Sequence, residues 1–158
     1  MTLRPYPQII GCIDPDLCNL PRHKKMLKPR PSVGEVDTED LKHDDPIRLA
    51  LQQKCKAKGF VFCSNNAGPY VDYDYSFGAG SVFTHTDRGM GLTAGVLVAA
   101  TRLVADDGGP PYSCELIANG KALDLSIGTA FVFNADKPHA WLANCCWLIA
   151  LQHVRRKR

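Results

Sequence analysis

Nine short runs of β-forming residues, separated by turn residues, fill the chain after Gly59. Runs of this length that are rich in β-branched and aromatic side chains are typical of the strands of a sandwich or barrel. Asn119-Gly120 separates two of the runs, and both residues tolerate the positive φ that a type I′ hairpin requires. The pattern therefore predicts a mainly β fold with an antiparallel pair at this hairpin. The predicted strands are residues 60–63, 70–75, 81–87, 93–104, 112–118, 121–125, 129–133, 139–142 and 146–154.

One amphipathic helix is predicted before the strands, over residues 45–58. Asp45 suits the N-cap, Pro46 suits the first helical position and Gly59 suits the C-terminal cap. Apolar residues recur between them at helical spacing, so this helix is expected to pack against a sheet. Residues 1–44 are rich in proline and show little periodicity, which predicts an irregular arm.

The length of 158 residues fits one domain that spans residues 1–158. No apolar run approaches the ~18 residues of a membrane span, and the N-terminus lacks the continuous apolar stretch of a secretory signal. Seven cysteines without paired C-x-x-C spacing predict reduced, mostly buried thiols. These features together predict a cytoplasmic protein with no membrane partner.

Positive charge is concentrated in two segments that flank a more acidic middle. One segment is residues 22–30, and the other is residues 155–158, which are predicted to be a basic tail. Basic clusters attract nucleic acid or acidic proteins, but short charged ends are more often simply solvated. A nucleic-acid partner is therefore kept as an alternative and is not favoured.

His85 and Asp87 place an imidazole and a carboxylate two residues apart in a predicted strand. Both side chains then leave the same face and can bind one ion, although an exposed His and Asp with a weak ion pair would give the same pattern. Further along the chain, a buried run and a turn lead to His139. Two imidazoles and one carboxylate occupy one face of an octahedral iron(II) and leave the opposite positions for other ligands. Zinc would accept the same donors, but structural zinc normally uses four.

The order of these residues resembles a known superfamily. His85-x-Asp87, followed by His139 within Gly-x-x-Phe-x-Phe…Pro-His, is similar to the iron(II)/2-oxoglutarate-dependent oxygenases. Tyr75, ten positions before His85, resembles the tyrosine of the prolyl-hydroxylase branch that reaches the co-substrate. The resemblance covers about residues 70–154 and rests on ordered spacing.

Membership of this superfamily would imply a double-stranded β-helix, that is, a cupin-like jelly roll, with one or more N-terminal helices packed on it. The implied cofactors are Fe(II), 2-oxoglutarate and O2, and the implied catalytic residues and metal ligands are His85, Asp87 and His139. Tyr75 is the implied co-substrate contact. The implied reaction is hydroxylation of an unidentified substrate, with a protein or peptide side chain slightly ahead of a nucleobase or small molecule.

The sequence departs from the superfamily on the last predicted strand. Most members carry an Arg or Lys there to pair with the far carboxylate of 2-oxoglutarate, whereas this chain has an apolar run with His153 at its end and Arg155 just past it. Arg102, on another predicted strand, is the most plausible replacement, because a guanidinium can hold a carboxylate through two hydrogen bonds. Arg102 as an edge charge in water and Tyr75 as a core residue are equally weighted alternatives. A metal-binding β-helix without 2-oxoglutarate turnover therefore remains a rival hypothesis.

Overall fold

Eleven strands and two α-helices make up the described part of the chain, which in this computed structural model comprises residues 6–27, 35–63, 73–87, 91–102 and 112–158. The helices are α1 (Pro21–Met26) and α2 (Pro46–Ala57), and a 3-10 turn covers Pro15–Leu17. The strands are β1 (Gln8–Cys12), β2 (Val36–Asp40), β3 (Phe60–Phe62), β4 (Tyr73–Ala79), β5 (Val82–His85), β6 (Leu92–Arg102), β7 (Cys114–Ala118), β8 (Lys121–Asp124), β9 (Thr129–Asn134), β10 (His139–Ala143) and β11 (Cys145–Arg156).

The strands form two antiparallel sheets with jelly-roll strand order. The larger sheet runs β1-β9-β6-β11-β4-β2, with β3 also paired to β11, and the smaller sheet runs β5-β10-β7-β8. From β4 to β11 the chain winds between the two sheets, so that β4-β11-β6-β9 faces β5-β10-β7-β8. This strand order is that of a double-stranded β-helix. The predicted fold class, a mainly β double-stranded β-helix with N-terminal helices, is confirmed.

The larger sheet is buried on both faces, and two apolar clusters cover it. The inner cluster lies between the two sheets, and the outer cluster lies between the larger sheet and the helices. On β11, Trp147 and Ile149 belong to the inner cluster, whereas Leu148 and Ala150 belong to the outer one. A strand buried on both sides reads as a continuous apolar run, as β11 does. The largest side chains of the inner cluster are Phe131, Phe133, Trp141 and Trp147.

Helix α2 forms as the sequence predicts. The Asp45 carboxylate accepts a hydrogen bond of 2.9 Å from the Ile47 N–H, which caps the helix. Gly59 follows the helix with a φ of +85°, a conformation that glycine adopts without steric cost. The side chains of Ile47, Leu51 and Cys55 are fully buried in the outer cluster. The predicted packing of this helix on a sheet is confirmed.

The predictions for the two ends of the chain were wrong in part. Within the predicted irregular arm, β1 pairs with β9 and β2 pairs with β4, so both strands extend the larger sheet. The five residues of β2 are all exposed, which explains why the sequence shows no apolar alternation over this strand. The predicted basic tail is also wrong in part, because Arg155 and Arg156 belong to β11. The Arg156 guanidinium lies 5.5 Å from the Tyr6 ring and 5.3 Å from the Phe60 ring, in cation–π geometry.

Each of the nine predicted strands overlaps an observed one, although several ends differ. The strand predicted over residues 70–75 is described only from Tyr73 and continues to Ala79. The strand predicted over residues 81–87 ends at His85. Asn119 and Gly120 have φ angles of 49° and 72°, as a type I′ hairpin requires.

The cysteines are free thiols, and most are buried, as predicted. Cys145 lies in the inner cluster and Cys146 in the outer one, so the adjacent pair points to opposite faces of the sheet. Among the helices of the described ranges, none has the length and apolar character needed to cross a bilayer.

A buried polar network holds α1 and α2 to the larger sheet. The Tyr75 hydroxyl donates a hydrogen bond of 2.7 Å to the Asp45 carboxylate, and the Arg22 guanidinium donates to it at 3.3 Å. Burial raises the pKa of Asp45, but the hydrogen bonds from Arg22, Tyr75 and the Ile47 N–H outweigh it and hold the pKa below the usual value. The carboxylate is therefore ionised and serves as cap, ion-pair partner and acceptor at once.

Replacing this carboxylate tests the network. We expect Asp45→Ala to lower the free energy of unfolding by about 3 kcal/mol, because the helix loses its cap and the buried Tyr75 hydroxyl loses its acceptor. The control is Asp44→Ala, which removes the same charge from an exposed residue beside the helix and should change stability by no more than ~0.5 kcal/mol. Urea unfolding measures both, and equal losses would contradict the network.

His23 gives the fold a dependence on pH. Its side chain is fully buried, its Nδ1 accepts a hydrogen bond from the Leu20 N–H at 3.2 Å, and burial followed by the charge of Arg22 lowers its pKa from 6.5 to about 4. Between these two values the unfolded chain binds a proton that the folded chain does not. We therefore expect stability to be full above pH 6.5 and to fall as the pH decreases towards 4, with a slope of up to ~1.4 kcal/mol per pH unit. Urea unfolding of His23→Gln across this range should show a shallower slope, and an unchanged slope would contradict the assignment.

Candidate metal centre

Three side chains predicted as metal ligands meet at one end of the barrel, here called the open end. His85 is the last residue of β5 and His139 the first of β10, and the two are paired directly across the smaller sheet. Asp87 lies two residues beyond the end of β5. One ligand atom from each of the three residues lies within 4.8 Å of the other two. We refer to His85, Asp87 and His139 as the triad.

The backbone fixes the position of Asp87 although it lies outside a strand. The Asp87 N–H donates to the Ala135 carbonyl at 2.8 Å, and the Ala135 N–H donates to the Gly91 carbonyl at 2.8 Å. The turn after β9 and the segment before β6 therefore hold Asp87 in place. The sequence predicted the pairing with His85 from strand alternation, but these two loop hydrogen bonds place the carboxylate.

Both imidazoles are oriented by carbonyl groups two residues earlier in the chain. His85 Nδ1 lies 2.7 Å from the Phe83 carbonyl oxygen, and His139 Nδ1 lies 2.8 Å from the Lys137 carbonyl oxygen. A carbonyl oxygen only accepts, so each Nδ1 carries the proton. In the neutral ring each Nε2 is then left with a lone pair, which is the form in which histidine binds metals.

The three lone pairs point at a common region. The Asp87 Oδ2 atom lies 3.1 Å from His139 Nε2 and 3.7 Å from His85 Nε2. Donors bound to one divalent ion at ~2.1 Å lie about 3 Å apart, so this spacing fits a shared metal. Without a cation, the lone pairs of two acceptors would face each other at 3.1 Å. Two imidazoles and one carboxylate therefore fit a divalent ion and match the facial set of non-haem iron.

The triad is buried on one side and open on the other. The His139 side chain is 1% exposed, whereas those of His85 and Asp87 are 35% and 41% exposed. The Phe133 ring packs edge-on against His139 at a centroid distance of 4.9 Å. Trp141 packs at 6.0 Å from Phe133 and belongs to the inner cluster. The aromatic core thus supports His139, while the exposed side leaves room for exogenous ligands.

Asp87 is kept ionised by its neighbours. Burial raises the pKa of Asp87, but the neighbouring His139 and His85 side chains outweigh this effect, so the pKa lies below the usual value. An ionised carboxylate needs to lose no proton when a cation binds, and its negative charge attracts the ion.

Tyr75 is not part of this site. It pairs with Ala150 on β11, and both side chains belong to the outer cluster, on the helix-facing side of the larger sheet. Its hydroxyl donates to Asp45. The prediction of Tyr75 as a co-substrate contact is therefore wrong, because the pleat of β4 turns its odd-numbered residues away from the barrel interior.

Arg102 lies at the opposite end of the barrel. It is the last residue of β6 and pairs with Cys145. The first residue of β6, Leu92, pairs with Asn134 next to the triad. Ten residues of extended strand separate the two ends by roughly 33 Å. The prediction of Arg102 as the carboxylate anchor is therefore wrong.

The sequence missed the polar residues that do face the barrel interior near the open end. Asp74 and Ser76 pair with Leu151 and Ile149, which pack in or against the inner cluster, so their side chains share that face. His153 continues the inward set on β11 and pairs with Thr93. The sequence does show that these polar residues alternate with the aromatic residues of β4. Because both faces of the sheet are buried, however, alternation alone could not show which face is the inner one.

The described residues do not fit the far carboxylate of 2-oxoglutarate. From β4 to β11, the inward positions beside the triad in the described ranges carry Asp74, Ser76, Thr93 and His153 and no Lys or Arg. A carboxyl group at Asp74 would repel a second carboxylate. The metal is thus supported by its donor set, whereas the co-substrate is not.

A groove of about 610 Å³ adjoins His139 on the rim of the open end. Tyr6, Pro7 and Ile117 are among its lining residues, and Lys137 contributes a charged residue. This volume is within the range of small-molecule sites.

The comparisons with known proteins give fold-level likeness alone. No protein-family model and no curated protein matches the chain. An RmlC-like cupin protein from Desulfovibrio desulfuricans is similar at 15% identity and a TM-score of 0.36, over 72% of this chain and 90% of that one. A prolyl-4-hydroxylase from Pseudomonas putida is similar at 19% identity and a TM-score of 0.45, over 96% and 92%. A prolyl hydroxylase from Trichoplax adhaerens, in complex with a hypoxia inducible factor peptide fragment, is similar at 12% identity and a TM-score of 0.47, over 87% and 69%.

Direct metal titration tests the triad. We expect one divalent ion to bind per chain, and His139→Ala to weaken binding by at least ~100-fold, because it removes a ligand whose orientation alone is worth 10–100-fold in such sites. The control is His43→Ala, a histidine on the surface outside the triad. Cobalt(II) absorption spectra report the affinity and the coordination, and equal binding by the two variants would contradict a metal centre at the triad.

Proposed function

We propose that this protein is a mononuclear non-haem iron(II) oxygenase. The observation that carries the proposal is the convergence of three lone pairs, from His85, Asp87 and His139, at separations suited to one divalent ion. One side of the triad is exposed, so the ion would keep positions for O2 and for an organic ligand. The donor set has three members among the described residues, and this supports an enzyme over a structural zinc site, which normally uses four donors.

Each residue around the bound iron would have its own role in the reaction. When bound, iron supplies the redox chemistry that activates O2 for attack on a C–H bond. Asp87 offsets part of the ion's positive charge, and the Nδ1 hydrogen bonds of His85 and His139 hold the imidazoles neutral and oriented. Phe133 and Trp141 exclude water behind His139. The exposed side of the triad is where a substrate would approach.

For the finer form of the reaction we propose 2-oxoglutarate as co-substrate, on the sequence resemblance. In that reaction 2-oxoglutarate, O2 and a substrate C–H group give succinate, CO2 and a C–OH group. One oxygen atom enters succinate and the other enters the alcohol. A peptide side chain is the substrate class slightly favoured by the resemblance.

A second candidate is an iron centre of the same fold that does not turn over 2-oxoglutarate. The observation that favours it is the inward carboxyl of Asp74 at positions where a cation would be needed. Among the described basic residues, Arg22 is ion-paired with Asp45 and Arg156 is stacked on Tyr6 and Phe60, so these two residues do not favour the nucleic-acid alternative.

One experiment separates these candidates. Iron(II) and 2-oxoglutarate are added to the protein without oxygen, the visible charge-transfer band of the chelate is recorded, and oxygen is then admitted and succinate measured. We expect His85→Ala and Asp87→Ala to abolish succinate formation, and His43→Ala to leave it unchanged. Iron binding without the band and without succinate would favour the second candidate, and full turnover by either triad variant would contradict the proposed site.

A further inference from the structure

Asp74 is an inward-facing carboxyl group, the second residue of β4, near the open end of the barrel. Asp74 pairs with Leu151 on β11, and Leu151 pairs in turn with Gly95 on β6, so the three residues form one row across the larger sheet. The Leu151 side chain points into the barrel, towards Gly95. Thr93, Phe133 and His153 form the neighbouring row, which lies one row closer to the open end than Asp74 and is here called the upper row. This upper row includes the ring that packs against His139.

The surroundings of Asp74 contain acids and no cation within the described ranges. Its carboxylate accepts one hydrogen bond, from the Ser76 hydroxyl at 3.0 Å. Asp40 lies directly opposite on β2. Burial raises the pKa of Asp74, and the negative charge of Asp87 raises it further, while the bond from Ser76 lowers it.

His153 adds a hydrogen-bonding group without a partner at the same end. Its Nδ1 is buried and has no hydrogen-bond partner in the described structure. Its ring lies against Gly91, where an added Cβ would come within 3.3 Å of Cε1. The Gly91 carbonyl accepts from Ala135, whose own carbonyl accepts from Asp87. Two backbone hydrogen bonds thus connect the position of His153 to the triad.

We propose that Asp74 is a specificity-determining residue of the metal centre, which selects an organic ligand whose tail is an amine and rejects one whose tail is a carboxylate. The inference rests on the proposed iron centre in its second form, the one that does not turn over 2-oxoglutarate, because the ligand is taken to be anchored on the triad metal. The metal holds the chelating end of the ligand, Asp74 receives the ammonium group one row deeper, and Ser76 and His153 supply further hydrogen-bonding groups. An ammonium group has three donors and no acceptor, which suits a carboxylate that has no Lys or Arg beside it in the described ranges.

Two catechols with matched chelating ends test this. 3,4-Dihydroxyphenethylamine carries an amine tail and 3-(3,4-dihydroxyphenyl)propanoate a carboxylate tail, and both give visible charge-transfer bands on iron(III). The probes are titrated into the full chain loaded with iron(III). We expect the amine probe to bind at least about tenfold more tightly, since one favourable charge contact of ~1.4 kcal/mol corresponds to a factor of ten.

The variant Asp74→Asn keeps the shape and removes the charge. It should weaken the amine probe and strengthen the carboxylate probe, each by about tenfold, whereas mere damage to the fold would weaken both. The control is Asp124→Asn, an equal change of charge at an exposed position on β8, which should leave the ratio of affinities unchanged.

The outcomes separate the two levels of the proposal. Normal iron uptake with a ratio that does not respond to Asp74→Asn overturns the role of Asp74 and leaves the metal centre intact. Normal iron uptake with no band from either catechol overturns the role of Asp74 and shows that the metal has no accessible positions. If the triad does not bind a divalent metal, as measured separately with cobalt(II), the metal centre is overturned and this inference with it.

Discussion

Two backbone carbonyls determine what the triad can bind. The Phe83 and Lys137 carbonyls each take the Nδ1 proton of a histidine two residues later, and this leaves both Nε2 lone pairs directed towards Asp87. Three acceptors that converge in this way repel one another until a cation lies between them. The geometry is therefore unfavourable as an ordinary surface ion pair and favourable as a metal site.

The jelly roll supplies the rigidity that such a convergence needs. His85 and His139 sit on neighbouring strands of the smaller sheet, and the inner aromatic cluster fixes His139 from behind. Asp87, in contrast, is held by loop hydrogen bonds to Ala135 and thereby to Gly91. The site thus joins two ligands on strands to one on a loop. This arrangement fits an end of the barrel that is packed on one side and exposed on the other.

The sequence was sufficient for the strands after Gly59 and for the convergence of His85, Asp87 and His139, but not for β1, for β2 or for the faces of the larger sheet. The strands were predictable because each apolar run is bounded by turn residues, and the triad because His85 and His139 end and begin such runs. Tyr75 and Asp74 could not be told apart in this way, because helices cover the outer face of β4 and both of its faces are buried. The edge strand β2 was missed because its residues are all exposed. Arg102 was misplaced because strand length, not residue type, decides which end of a barrel a side chain reaches.

Asp74 and Asp87 have the same side chain, but their surroundings shift its pKa in opposite directions. Asp87 has two imidazoles beside it, and these hold its pKa below the usual value although burial acts in the opposite direction. Asp74 has only the Ser76 hydroxyl to offset burial, so its pKa is raised. Asp87 therefore attracts a small cation directly, whereas Asp74 has no Lys or Arg beside it among the residues that the structure describes. An organic cation anchored at the metal would satisfy Asp74, and a dicarboxylate in the same place would add to the repulsion.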